Sequence, residues 1–577
     1  MRSGLLVGIA LLLVQVSCPG QAFASGHNLL LAMPPILAAR SGHGQPPGAG
    51  ISRAKAAAFL ARATFGPTMA EIDSLARSGD YNQWLEHQFT VPPSYHLAWM
   101  WNRLPGIAWK TYSDLVHITK KDAWWDIAVH GNDQLRQRVA FALSEIMVVS
   151  QFGPLSNSPD GLASYYDLLV KNAFGNFRTL LEDITLSPMM GRYLSYLGNA
   201  KADPAIGNHP DENYAREVMQ LFTIGLYRLN QDGTTINDDQ GNPLPTYNQD
   251  DVREMARVFT GWSDDNGFFF AGDGSASHHA RISPMISFSE YHDTGGKHIL
   301  GHTFVAGRTA EQDLAQALDM LFHHPNVGPF IGRRLIQRLV TSNPSPAYIS
   351  RVAAAFNNNG HGVRGDMKAV VRAILLDPEA INGLENSAQT FGKVREPLLA
   401  ISNLWRAFNA QNGQCERRGE DEHSPVYYYN CFHFEEANSF LQQNAAQESL
   451  TVFNYFTPDD GPADLKAHGL VAPERTVLGI DGLHHVLMSF ALETYTYETY
   501  HVLAHLDVST EKYLLNSGDY DGLLDRLNIL LLAGRMTPGM RRVLLDFINS
   551  NGATDKDFLA RNLIALVMTS AQYAVQR

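Results

Sequence analysis

Leu135-Arg-Gln-Arg-Val-Ala-Phe-Ala-Leu-Ser-Glu-Ile-Met-Val-Val149 sets the fold class of this chain. Its apolar residues at 135, 139, 142, 146 and 149 recur every three or four positions, the period of a helix with one buried face. The same rhythm returns at Leu314, Ala317, Leu318 and Leu321. Start signals stand in front of such runs. Thr68-Met-Ala-Glu71 has the form of a capping box, in which hydroxyl and carboxylate satisfy the first free backbone N–H groups. Asn248 before Asp251, and Thr537 followed by Pro538, follow the same logic. On the order of twenty such segments occur, most shorter than about 20 residues, as in ordinary globular helices. No repeat of fixed period is present, which argues against a solenoid. The expected fold is therefore mainly α, a multi-helix globular architecture with a small β-hairpin region and long irregular loops. The hairpin is expected over Ile286 to Phe304, turning at Asp293-Thr-Gly-Gly296. The irregular stretches are Asn230 to Tyr247, Ser263 to Ser283 and Gln411 to Phe434.

Met1 to Ala24 has a basic start at Arg2, an apolar run from Leu5 to Val16 and small residues around Ala24. That pattern is a cleaved secretory signal, and it predicts a secreted or periplasmic protein. The run is short for a membrane span, which takes about 20 apolar residues, and no later segment approaches that length. An alternative reading is lipoprotein cleavage before Cys18, against which Gln15 stands where that signal wants an aliphatic residue. Residues 25–50 are rich in Gly and Pro and read as a flexible leader. A main helical domain is expected over 51–410 and a C-terminal helical part, packed on it, over 435–577. Between them, 411–434 reads as a surface insertion with a cysteine near each end. Loss of the signal would leave Cys415 and Cys431, sixteen apart, which an exported protein is expected to join. Two free thiols are the alternative. Removing Arg2 and no acid would move the net charge from −13 to −14. A balance this acidic argues against nucleic acid as a partner.

Three groups of polar residues are candidates for chemistry. In Pro210-Asp-Glu-Asn-Tyr-Ala-Arg-Glu-Val-Met-Gln-Leu-Phe-Thr-Ile-Gly225, the residues Tyr214, Val218, Leu221 and Phe222 form the buried stripe of a helix, and Glu217 falls inside it. A buried carboxylate must be neutralised, paired or metal-bound. Arg138 and Glu145 border the apolar face of their own helix in the same way. These residues read either as a structural ion-pair network or as a polar site with Glu212 and Glu217 as bases or ligands. The second group is Tyr291-His-Asp-Thr-Gly-Gly-Lys-His-Ile-Leu-Gly-His302. Its histidines and carboxylate suit a divalent metal such as zinc or iron, whereas Asp-Thr-Gly is also ordinary turn chemistry. The candidate ligands are His292, Asp293 and Glu217; the catalytic candidates are Glu212, Glu217, Arg216 and Lys297. The third group, Glu498, His501 and His505 on an expected helix, lacks the second Glu-x-x-His copy that a di-metal bundle requires. No nucleophile elbow, Walker loop, dinucleotide fingerprint or zincin pair is present. No cofactor is specified.

Several stretches together resemble a large bacterial family catalogued as domain of unknown function number eighteen hundred. They begin with Ala58-Phe-Leu-Ala-Arg-Ala-Thr-Phe-Gly-Pro-Thr68 and continue through Leu135 to Glu145 and Ala173-Phe-Gly-Asn-Phe-Arg178. The closest are Pro210 to Glu217 and Val258-Phe-Thr-Gly-Trp262, followed by His292 to Lys297 and Lys393-Val-Arg-Glu-Pro397. The last are Val452-Phe-Asn-Tyr-Phe456 and the terminal Gln572 to Arg577. Gln220 departs from the pattern, since relatives often carry Glu there. The resemblance implies an exported, mostly helical protein, often encoded beside a sulfatase-like partner, and no settled reaction. Glu212, Arg216, Glu217, His292, Asp293 and Lys297 lie in its shared motifs.

Three functions are compatible with this reading. One is a metal-assisted hydrolase or oxidase acting on envelope or extracellular material such as polysaccharide. The second is a non-catalytic surface or assembly protein working with the sulfatase-like partner. The third is a carbohydrate-binding protein, suggested by Tyr427-Tyr-Tyr429. The first requires Glu217 and His292 to meet in one cleft.

Overall fold

Helix starts follow the local chemistry. Thr68 and Glu71 close their reciprocal capping box, Asn248 and Asp251 close a second, and the Thr537 hydroxyl accepts from the Met540 amide. The computed structural model describes residues 50–103, 113–270, 277–387, 389–412, 416–418, 427–429, 443, 445–478, 482–493 and 504–577. Residues from Gly50 onward form one compact unit. Helices dominate it, and the described strands form only two-stranded antiparallel pairs. The signal and leader, Cys415, Cys431, Glu498 and His501 lie outside the described residues. Among the described residues no helix is long and apolar enough to cross a membrane.

The helix Gln134–Ser144 runs through the middle of the core. Of its residues from Gln134 to Leu143 only Arg136 is not buried, so it has hardly any solvent face. The helices Pro159–Asn172, Val327–Leu339 and Ser113–His130 surround it. Trp125 and Trp405, ring centres 4.8 Å apart, anchor one side. A helix buried all round takes its charged residues inside with it. Arg138 is fully buried, and Glu145, the residue after the helix, is 5% exposed.

The strand pairs differ from the expected hairpin. Ile286–Ser287 pairs with Trp262–Ser263, and the hairpin proper is Lys297–Ile299 with His302–Phe304. It turns at Leu300 and Gly301, both at positive φ, a two-residue turn that suits strand twist. Asp293 is held outside the turn by two hydrogen bonds from Arg257, at 2.8 and 3.1 Å. Nor does His505 lie on a helix: Ala504–His505 pairs with Gln411–Asn412. The C-terminal residues are held at Val575–Gln576, which pairs with Lys393–Val394. Gly392 leads into that pair at φ +116, where a Cβ would sit 2.6 Å from the Gln576 carbonyl.

Candidate functional site

The helix Val327–Leu339 carries Arg333, Arg334 and Arg338 along one wall of a cavity of about 470 Å³. The loop after the Glu217 helix lines it as well, at Gly225, Leu226, Tyr227 and Leu229. Asn326 fixes that loop: its amide donates to the Ile224 and Tyr227 carbonyls at 2.7 and 2.8 Å and accepts from the Leu229 amide at 3.0 Å. Gly225 sits at φ +71 directly over Phe330, where a Cβ would come within 2.6 Å of the ring. Only glycine gives that turn and that approach together.

The three arginines differ in how they are held. Arg333 pairs with Asp459 at 2.5 Å near the surface. Arg334 lies over Phe330, 3.8 Å from the ring centre, and makes no hydrogen bond or ion pair with a described residue. Burial pulls its guanidinium down to about 10, still charged at neutral pH. Arg338 lies over Phe456 at 4.4 Å and 3.8 Å from Glu145, too far for a hydrogen bond.

Glu145 completes the wall. Its Oε1 accepts from Asn454 at 3.2 Å, its buried Oε2 receives no N–H or hydroxyl donor from the described residues, and the carboxyl of Glu396 is its neighbour. Behind it lies Glu396, fully buried, which accepts from Lys393 and Gln443, both at 2.9 Å. Lys393 also reaches Glu474 at 3.2 Å. Burial, reinforced by Glu396, pushes the Glu145 carboxyl up to about 8. Lys393 and Arg338 outweigh burial at Glu396 and hold it ionised. The two carboxyls are coupled, and their surroundings favour the neutral form at Glu145 and the ionised form at Glu396. Three arginines, Arg333, Arg334 and Arg338, line the cavity against the carboxyls of Asp459 and Glu145, which leaves its wall rich in cations.

The residues singled out from sequence are distributed over three places. Arg138 and Glu145 enter the buried network just described. Glu212 is half-buried at the start of the helix Asn213–Gln220 and accepts from Arg216 at 3.1 Å and Gln249 at 2.7 Å. Glu217 is 6% exposed, and its Oε2 has no partner; burial raises its pKa, against Arg216. Gln220, one turn on, lines the cavity and accepts from the Tyr247 hydroxyl at 3.0 Å.

The third place is a separate knot. His292 Nε2 is 3.3 Å from Asp313, and its Nδ1 lies 2.9 Å from the Thr260 carbonyl. Lys297 donates to Asp313 at 2.6 Å, and Asp293 is taken by Arg257. Thr260, His292 and Asp313 mimic a nucleophile, a base and an acid. Their side chains are all buried, however, and the Thr260 hydroxyl donates to the Arg257 carbonyl while accepting from the Asp293 amide. This set ties loops together. Among the described residues no group of three or more His, Cys, Asp and Glu is placed to hold a metal. The structure thus does not gather His292, Asp293 and Glu217 as ligands.

Sequence reasoning missed Arg333, Arg334, Arg338 and Glu396. The available signal was Ile331-Gly-Arg-Arg-Leu-Ile-Gln-Arg338, where Arg334 and Arg338 stand one turn apart beside apolar neighbours.

A family model described as "Protein of unknown function (DUF1800)" matches residues 58–575. No curated protein and no solved structure matches the chain.

Proposed function

The chain belongs to that family, and from this premise we propose that it is an exported enzyme of the hydrolase kind, acting by acid–base chemistry on an anionic substrate held in the arginine-lined cavity. What supports it is Arg334, a guanidinium with no hydrogen-bond acceptor among the described residues, lining a cavity that Glu145 also lines, and burial raises the pKa of the Glu145 carboxyl. A carboxylate or sulfate would satisfy Arg334 and Arg338. Glu145 would then stand as proton donor, a task for which a carboxyl titrating near neutrality is suited. The metal-assisted form of this reading draws no support from the contacts of Glu217, His292 and Asp293. Export rests on the signal-like Met1 to Ala24. The substrate would be envelope or extracellular material.

A second reading has one observation in its favour. Leu226, Tyr227 and Phe453 at the cavity wall are each nearly half exposed, an apolar margin that a partner such as the sulfatase-like protein could cover.

Calorimetric titration with sulfate and with a monomeric uronate separates the two. The proposal expects saturable binding, weakened roughly tenfold or more by Arg334→Met, the size of one lost charge-assisted hydrogen bond. Absence of binding, or equal binding by the variant, overturns it.

A further inference from the structure

A second cavity, of about 390 Å³, adjoins the first, and the two have Gly233 and Arg333 in common. The partition between them is thus a residue without a side chain and one arginine. That arginine is tethered only at its tip, to the exposed Asp459. Each cavity alone is within the range of a small-molecule site.

Their chemistry differs in kind. The first is cationic with an apolar margin. The second has Arg333 as its only cation among the described residues and sets hydroxyls and two carboxylates, Asp232 and Glu379, among apolar side chains such as Ile349 and Phe391. Some of these are already engaged: Glu379 accepts from the Ser345 amide and hydroxyl, and Asn343 exchanges two hydrogen bonds with Val471. Ser387 and Thr390 are exposed, and their hydroxyls bond to no described group. Asp232 spends Oδ1 on Thr234 and keeps Oδ2. Hydroxyls that donate and accept, beside a carboxylate that accepts, match the hydroxyl groups of a sugar ring.

Resting on the anion-binding reading above, we infer that the ligand is an acidic oligosaccharide chain. Its carboxylated or sulfated unit sits on Arg334 and Arg338, and a neutral face of the next unit sits against Asp232, Ser387 and Thr390. Arg333 lies across the linkage.

The test is a size-graded series of uronate and sulfated oligosaccharides, from one to four units, titrated into the full-length protein. An acidic peptide of equal charge serves as a probe of the alternative. Affinity is expected to rise at least tenfold between one and three units. Thr390→Trp, which fills the second cavity from its exposed edge, should erase that rise and leave one-unit binding unchanged. Binding of the single unit with no gain from length overturns this inference and leaves the anion site standing. Failure of every anion, sulfate included, overturns both. A peptide that matches the oligosaccharide overturns the sugar assignment.

Discussion

Glu145 and Glu396 show how two identical side chains take opposite charge states from their surroundings. Glu396 has Lys393 and Gln443 as donors; Glu145 has a single amide and a guanidinium beyond hydrogen-bond reach. The consequence for stability has a definite sign. Burial holds the folded-state pKa of Glu145 well above its ordinary 4.5, so above that value the folded form binds more protons than the unfolded chain. Stability from this group is full below pH 4.5 and is lost as pH rises towards 8. Glu396, shifted down, contributes stability that is present above 4.5 and lost as pH falls towards 2. Chemical denaturation between pH 6.5 and pH 8, above the range in which the lowered His324 acts the other way, should therefore show stability falling, and Glu145→Gln should flatten much of that slope. An unchanged slope in the variant would remove the raised pKa from Glu145. Glu217 was legible as an anomaly because a charged residue interrupts an apolar stripe within one helix. That His292 turns to Asp313, and Asp293 to Arg257, was not, because no local rule relates residues so far apart in sequence.

At the scale of elements, the cavity exists because one residue holds a helix start and a loop together. Asn326 makes three hydrogen bonds to the stretch from Ile224 to Leu229 and is itself buried. Asn326→Ala would strand two carbonyls and an amide, and should cost about 2–4 kcal/mol in unfolding free energy. The same variant should weaken sulfate binding, since the loop lines the cavity together with Arg334. Normal stability with intact binding would show that the loop holds itself. The capping boxes at Thr68 and Asn248 were legible because their bonds span three residues. The hairpin was located too broadly. Asp-Thr-Gly-Gly is turn chemistry, but Arg257, 36 residues earlier, claims Asp293, and the tighter turn at Leu300 and Gly301 closes the pair instead.

Across the whole molecule, the last residues of the chain support the network beneath the cavity. Val575–Gln576 pairs with Lys393–Val394, and the Gln576 amide donates to the Leu339 carbonyl at 2.9 Å. Lys393 in turn holds Glu396 and the Arg338 carbonyl, so the terminus sets the register of the charges behind Glu145. Deleting 575–577 should cost about 2–4 kcal/mol, from a few hydrogen bonds at about 1 kcal/mol each, and should reduce anion binding. Thermal unfolding and sulfate titration of the truncated chain check both, and unchanged values would detach the terminus from the site. Helical class, helix starts and family membership were all carried by the chain read in order, because periodicity, capping and short motifs act within a few turns. The family resemblance read from motifs is the one the family model matches over 58–575. The site was not so carried. Glu145, Arg338 and Glu396 come from three distant segments, and their burial follows from where the helix Gln134–Ser144 sits rather than from its own pattern. Which charges share a low-dielectric interior, and which of them keeps the proton, is a property of packing alone.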